Sequence, residues 1–164
     1  MENIAYIDGS NLYLGVKNIG VEIDYLLLRQ WLKNKYQIKK AYVFMGYLPE
    51  QQSLYDYLER CDFILVFKET LLQRGIIKGN ADAELVLKAV RDIFETKDEY
   101  KVVLISGDGD FSCLIDFFIE KKVFKILLIP NRKYSSYLLR KKNIAKEFLE
   151  TPRILSQIKK RKDP

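Results

Sequence analysis

Apolar residues fall along the chain in two alternating patterns. Five short runs rich in Ile, Val, Leu, Tyr and Phe, namely Ile4 to Asp8, Ala41 to Tyr47, Phe63 to Phe67, Lys101 to Ser106 and Lys125 to Ile129, read as buried strands. Between them the apolar positions take helical spacing: Tyr25, Leu28, Trp31 and Leu32; Leu54, Tyr57 and Leu58; Val86, Ala89, Val90 and Ile93; Leu114, Ile115, Phe118 and Ile119. Strands alternating with helices require crossover connections, so the pattern predicts an α/β fold around a parallel sheet. Glu69 to Gly79 fits neither pattern; Gly75 and Gly79 bracket Ile76-Ile77 in what reads as a hairpin or a loop. The stretch from Ile158 to Pro164 is expected to fray. The predicted organisation is one domain over residues 1–155 and a basic tail over 156–164.

Composition supports this picture and narrows the chemistry. A chain of 164 residues, 48% hydrophobic and 30% charged, suffices for one sizeable core. No apolar run approaches the roughly 20 residues of a membrane span, and Met1-Glu2-Asn3 leads directly into a strand, so no membrane partner and a cytoplasmic location are expected. Cys61 and Cys113 are too few for a disulfide framework or a thiolate cluster. Histidine is absent, which excludes Ser-His and Cys-His nucleophiles and imidazole metal sites. Residues 1–120 hold 14 Lys or Arg against 19 Asp or Glu, and residues 121–164 hold 14 against 3, so net charge runs from −5 to +11. A basic C-terminal quarter fits a polyanionic partner such as nucleic acid, or simply a solvated surface.

In an open parallel sheet, ligands bind beyond the carboxyl ends of the strands, near the point where strand order reverses. Asp8 ends the first predicted strand, in Tyr6-Ile7-Asp8-Gly9-Ser10-Asn11-Leu12, while Asp108 and Asp110 follow the fourth, in Ser106-Gly107-Asp108-Gly109-Asp110-Phe111. Asp82 precedes Val86, Ala89 and Ile93 by four, seven and eleven residues, which places it at the head of a core-facing helical stripe, with Glu84 on another face. Each residue also has an ordinary reading: Asp110, Asn11 and either Asn80 or Asp82 as helix caps, and Asp8-Gly9 and Asp108-Gly109 as turn pairs. Gly107 and Gly109 would allow close backbone approach or unusual dihedrals around Asp108. Four carboxylates converging in one cleft would repel unless a cation joined them, and hard oxygen ligands without His or Cys select Mg²⁺ or Mn²⁺. Such an ion lowers the pKa of water and stabilises charge on a scissile phosphate, so a phosphodiester is the natural substrate.

Three motifs, Asp8-Gly9-Ser10-Asn11-Leu12-Tyr13, Lys78-Gly79-Asn80-Ala81-Asp82 and Ser106-Gly107-Asp108-Gly109-Asp110-Phe111, stand in an order that resembles the NYN domain family, with its LabA-like and DUF88 members, within the PIN-like nuclease superfamily. The resemblance implies a three-layer α/β/α fold with a five-stranded parallel sheet in the order 3-2-1-4-5, and a metal-dependent endoribonuclease acting on single-stranded or loop RNA. It assigns Asp8, Asp82, Asp108 and Asp110 to catalysis and to Mg²⁺ or Mn²⁺, with Asn11 and Ser106 beside them and Lys78 at the phosphate. Two departures stand out: Glu120-Lys121-Lys122-Val123 lacks the glycine common before the fifth strand, and Lys146 stands where an acidic residue is frequent.

Arg132, Lys133, Tyr134, Tyr137 and Arg140 are nominated as nucleic-acid contacts, because aromatic rings in a cationic surface stack unpaired bases. The alternative is a catalytically weak or inactive RNA-binding module of the same fold. A phosphatase or nucleotide hydrolase is disfavoured, since no Asp-x-Asp pair follows the first strand and no Walker-type glycine loop is present.

Overall fold

A computed structural model describes residues 1–68, 71–73, 76–78 and 81–161, the two short inner segments as backbone only. The chain runs β1 (Asn3–Asp8), α1 (Gly9–Lys17), α2 (Tyr25–Tyr36), β2 (Ile38–Gly46), α3 (Gln52–Arg60), β3 (Ile64–Lys68), β4 (Leu71–Gln73), β5 (Ile76–Lys78), α4 (Asp82–Glu95), β6 (Val102–Ile105), α5 (Ser112–Glu120), β7 (Phe124–Ile129), α6 (Tyr137–Lys141), β8 (Lys146–Phe148) and α7 (Pro152–Ile158). The main sheet is parallel throughout, in the order β3-β2-β1-β6-β7-β8. β4 and β5 pair antiparallel apart from the main sheet, from Leu71↔Lys78 to Gln73↔Ile76; the rest of the Glu69 to Gly79 segment lies outside the described residues.

Successive strand residues point to opposite faces, and β1 feeds both cores in this way. Ala5 and Ile7 pack with Leu12 and Val16 of α1, Leu28 and Leu32 of α2, Leu58 of α3, and Ile154 and Ile158 of α7. Ile4 and Tyr6 pack on the other side with Leu85 and Ala89 of α4, Leu114 and Phe118 of α5, and Leu139 of α6. Helices therefore cover both faces, which is why the strands read as continuous apolar runs. None of the described helices is long and apolar enough to cross a membrane.

Four expectations need correction. The sheet has six strands, not five: Lys146–Phe148 joins β7 through Leu127↔Lys146 and Ile129↔Phe148. A three-residue, half-buried edge strand bearing two charges carries no apolar signature. Ile158 to Lys160 are docked rather than frayed: Ile158 is fully buried, Lys159 bridges to Ile23, and the Lys160 N–H donates to Glu22 O at 2.9 Å, while 162–164 lie outside the described residues. In α4 the fully buried positions are Leu85, Ala89 and Asp92; Val86, Val90 and Ile93 are half-buried and pack on the same core, so the expected stripe faces the core but Asp82 stands at its edge rather than at the head of its buried row. Finally, Asn11 and Asp110 are not caps: Asp8 caps α1, and Asp108 caps the turn at Gly109–Phe111. Asp82 is the first residue of α4, after Ala81, and Asn80 lies outside the described residues.

The missing glycine before β7 has a direct structural counterpart. Lys122 occupies the left-handed region, φ 60°, and so makes the turn a glycine would otherwise make.

Candidate metal centre

β1 and β6 are neighbours at the centre of the sheet, where the chain reverses direction across it, with Ile7 opposite Ile105. Their carboxyl ends deliver Asp8 and the Ser106–Asp110 turn to one crevice. Hydrogen bonds tie the two ends together. Ser106 Oγ donates to Asp8 Oδ2 at 3.0 Å, and the Gly107 N–H donates to Asn11 Oδ1 at 2.7 Å. The Asn11 N–H donates to Asp8 Oδ1 at 3.2 Å, the Asp108 N–H to Ser106 Oγ at 3.0 Å, and the Asp110 N–H to Asp108 Oδ1 at 2.9 Å. The capping and cleft readings of Asp8 and Asp108 are thus compatible, because one carboxylate presents several lone pairs.

Gly107 and Gly109 serve close approach rather than unusual dihedrals, as neither has positive φ. A Cβ on Gly107 would lie 3.1 Å from Ser135 Cβ, and one on Gly109 2.5 Å from Ser136 Oγ. The Ser136 N–H donates to Gly107 O at 2.9 Å, so the 131–136 loop seats directly on the acidic turn.

Asp8, Asp82 and Asp108 each offer an oxygen within 4.8 Å of the others. Asp8 is buried, and burial raises its carboxyl pKa against the lowering effect of the Asn11 and Ser106 hydrogen bonds. Asp82 is raised from 3.8 to about 6, first by desolvation and then by the charges of Asp8, Asp108 and Asp110. Burial and the neighbouring charges disfavour the ionised forms of Asp8 and Asp82, a cost that a divalent cation removes. The donor set is all hard oxygen and fits such an ion. Asp110 is exposed and outside the trio; it reaches Asp82 through its charge and borders a groove with Asp82, Val86 and Phe111.

The nominated cationic loop lies beside this crevice, but part of it has structural work. The Arg140 guanidinium donates to Arg132 O and to both oxygens of Ser135, and the Arg132 guanidinium lies 3.9 Å from the Phe148 ring centre. Lys133, Tyr134 and Tyr137 are exposed, and the Arg140 guanidinium lies 5.7 Å from the Tyr137 ring centre. The Lys146 ammonium donates to Leu139 O and Lys142 O at the end of α6, and burial lowers its pKa. It acts as a helix C-cap rather than as a substitute for a carboxylate. Lys78 ends β5, and its side chain lies outside the described residues.

Sequence reasoning missed a hollow of about 370 Å³ that starts at Gly9 and Ser10, directly after Asp8, and runs between α1, α3 and the end of β2. Its aromatic lining, Tyr13, Tyr25, Tyr55 and Phe63, is scattered over 51 positions of sequence. The helical spacing of Tyr25 and Leu54 pointed only to core.

The family model that matches the chain puts this doubly covered parallel sheet, with acidic residues at its central reversal point, in the PIN-like superfamily of α/β folds. The chain belongs to the NYN domain family, whose model matches residues 4–149. Proteins of this family are generally nucleases that depend on a divalent metal and act on RNA. No curated protein matches the sequence. A crystal structure of a protein of unknown function from Vibrio parahaemolyticus RIMD 2210633 is similar, with a TM-score of 0.73 and 22% identity over 92% of this chain and 94% of that one, and it supports the fold.

Proposed function

We propose that the protein is a metal-dependent endoribonuclease hydrolysing phosphodiester bonds in single-stranded or loop RNA. The observation that carries the reading is the meeting of Asp8, Asp82 and Asp108, within 4.8 Å, at the carboxyl ends of the central strands of an NYN domain. In this reading Asp8, Asp82 and Asp108 hold Mg²⁺ or Mn²⁺, and Asp110 completes a four-aspartate set from the rim. Bound there, the ion would lower the pKa of water and offset charge on the phosphate. Ser106 and Asn11 keep Asp8 and the Asp108 turn in place through the bonds described above. Asp82 holds the ion or orients the attacking water. Water adds to phosphorus, the bond to the 3′ oxygen breaks, and that oxygen takes a proton, which leaves a 5′-phosphate and a 3′-hydroxyl. Lys78 and the Arg132, Lys133, Tyr134, Tyr137 and Arg140 surface are candidate contacts to the RNA backbone and bases.

The test is cleavage of pooled single-stranded and structured RNA and DNA, with and without Mn²⁺. Asp8→Asn and Asp108→Asn should each reduce Mn²⁺-stimulated RNA cleavage at least about 100-fold, the scale on which active-site electrostatic groups act. Asn is itself a good N-cap, so Asp8→Asn should stay folded. Undiminished cleavage by both variants would refute the assignment. Salt-sensitive RNA binding by a wild-type protein that cuts nothing would favour the binding-module reading instead.

A further inference from the structure

The hollow beginning at Gly9 and Ser10 does not end behind α1. A second hollow, of about 420 Å³, lies between Val16, Lys17, Gly20, Glu22, Ile23 and Lys160, and the two share Tyr13, Tyr25 and Leu54 as common walls. The two hollows adjoin at these residues, and end to end they define a candidate trench from Gly9 and Ser10, after Asp8, to Lys160. Its inner half is mainly apolar and aromatic; Tyr25 stands edge-on to Phe63, with ring centres 6.3 Å apart. Its outer half is rimmed by cations, with the Lys17 ammonium 5.8 Å from the Tyr13 ring centre and Lys160 beside Glu22 at 2.9 Å. Tyr13 is 55% exposed and stands at the junction. Glu22 is the one carboxylate among the described lining residues, and its pair with Lys160 is open to solvent, so a phosphate can compete for that lysine.

We infer that this trench is the track for consecutive unpaired nucleotides of the RNA on one side of the scissile phosphate, an inference that rests on the nuclease reading above. Three features favour single-stranded RNA as the occupant. The trench opens at Gly9 and Ser10, the residues that follow the candidate metal ligand Asp8. Aromatic walls suit splayed bases, which a duplex keeps stacked inside. The two lysines of the outer half, Lys17 and the solvent-open Lys160, exceed its one carboxylate, Glu22, and suit the charge of the next phosphates. Tyr13 and Tyr25 then carry the stacking, rather than Tyr134 and Tyr137 across the acidic turn.

The experiment is photocrosslinking of the wild-type protein to a short single-stranded oligoribonucleotide carrying 5-iodouridine, with EDTA present so that nothing is cut, followed by peptide mapping. Adducts on Tyr13 or Tyr25 are expected. By fluorescence anisotropy under the same conditions, Tyr13→Ala should bind the oligonucleotide about tenfold more weakly, the scale of one lost base stack, and Tyr13→Trp should restore affinity. Adducts confined to Tyr134 and Tyr137, or unchanged binding by Tyr13→Ala, would overturn the track. The two proposals fail distinguishably: RNA cleavage with no adduct in the trench removes the track alone, whereas adducts on Tyr13 in a protein that cuts no RNA with Mn²⁺ remove the nuclease reading and reduce the track to a surface that binds single-stranded RNA.

Discussion

Replacing Asp82 with Asn should stabilise the metal-free protein at neutral pH and weaken its response to metal. The carboxyl of Asp82 is raised from 3.8 to about 6 by desolvation and by Asp8, Asp108 and Asp110. Between about pH 4 and pH 6 the native state therefore keeps a proton that the unfolded chain has lost. Stability falls as pH rises through that window and stays lower above it. At about 1.4 kcal/mol per tenfold change in proton affinity, the full difference is at most about 3 kcal/mol. Asp82 is half-exposed and screened by water, so about 1 kcal/mol is the fair expectation. The assay is thermal unfolding in EDTA from pH 3.5 to pH 7.5. Asp82→Asn should melt about 2–4 °C above wild type at pH 7.5, and the gap should close below pH 4. Adding Mn²⁺ at about 100 times its Kd should stabilise the wild type by about 2.7 kcal/mol and the variant by less. A variant less stable than wild type at pH 7.5 in EDTA, or a gap that persists to pH 3.5, would refute the reasoning.

Two other substitutions probe the scaffold around the site. Asn11→Ala removes the acceptor of the 2.7 Å bond from the Gly107 N–H and should cost about 1–2 kcal/mol, read as a fall in Tm of roughly 2–8 °C; unchanged stability would mean that water replaces Asn11 at no cost. Lys122→Gly relieves a left-handed backbone at φ 60° and should gain about 0.5–1 kcal/mol after glycine's own entropy cost, measured as a higher urea midpoint. A lower midpoint would show that the lysine side chain matters more than the turn it makes.

Much of the site was legible before any folding was considered, for identifiable reasons. Asp8 and the Ser106–Asp110 turn sit where apolar runs end, and covered parallel strands are the easiest elements to read. The reversal between the first and fourth of them, now β1 and β6, followed from the resemblance to the NYN family and not from the runs themselves. The acidic residues divided differently. Asp8, Asp82 and Asp108 meet, whereas Asp110, one peptide beyond Gly109, turns to the exposed rim. That two-residue step could not be resolved from spacing, because Asp108 caps the short turn at Gly109–Phe111 and so sets the direction in which Asp110 leaves it.

The sequence by itself determined the parallel α/β architecture, the exclusion of imidazole chemistry from a chain without histidine, and the basic C-terminal quarter, because periodicity and composition are local properties. Only the tertiary structure decided which three carboxylates come within 4.8 Å, the addition of Lys146–Phe148 as a sixth strand, the docking of Ile158 to Lys160, and the placing of Tyr13, Tyr25 and Leu54 between two adjoining hollows. Each of these depends on contacts between residues far apart in the chain, made when two faces of one sheet are covered by helices whose order in space differs from their order in sequence.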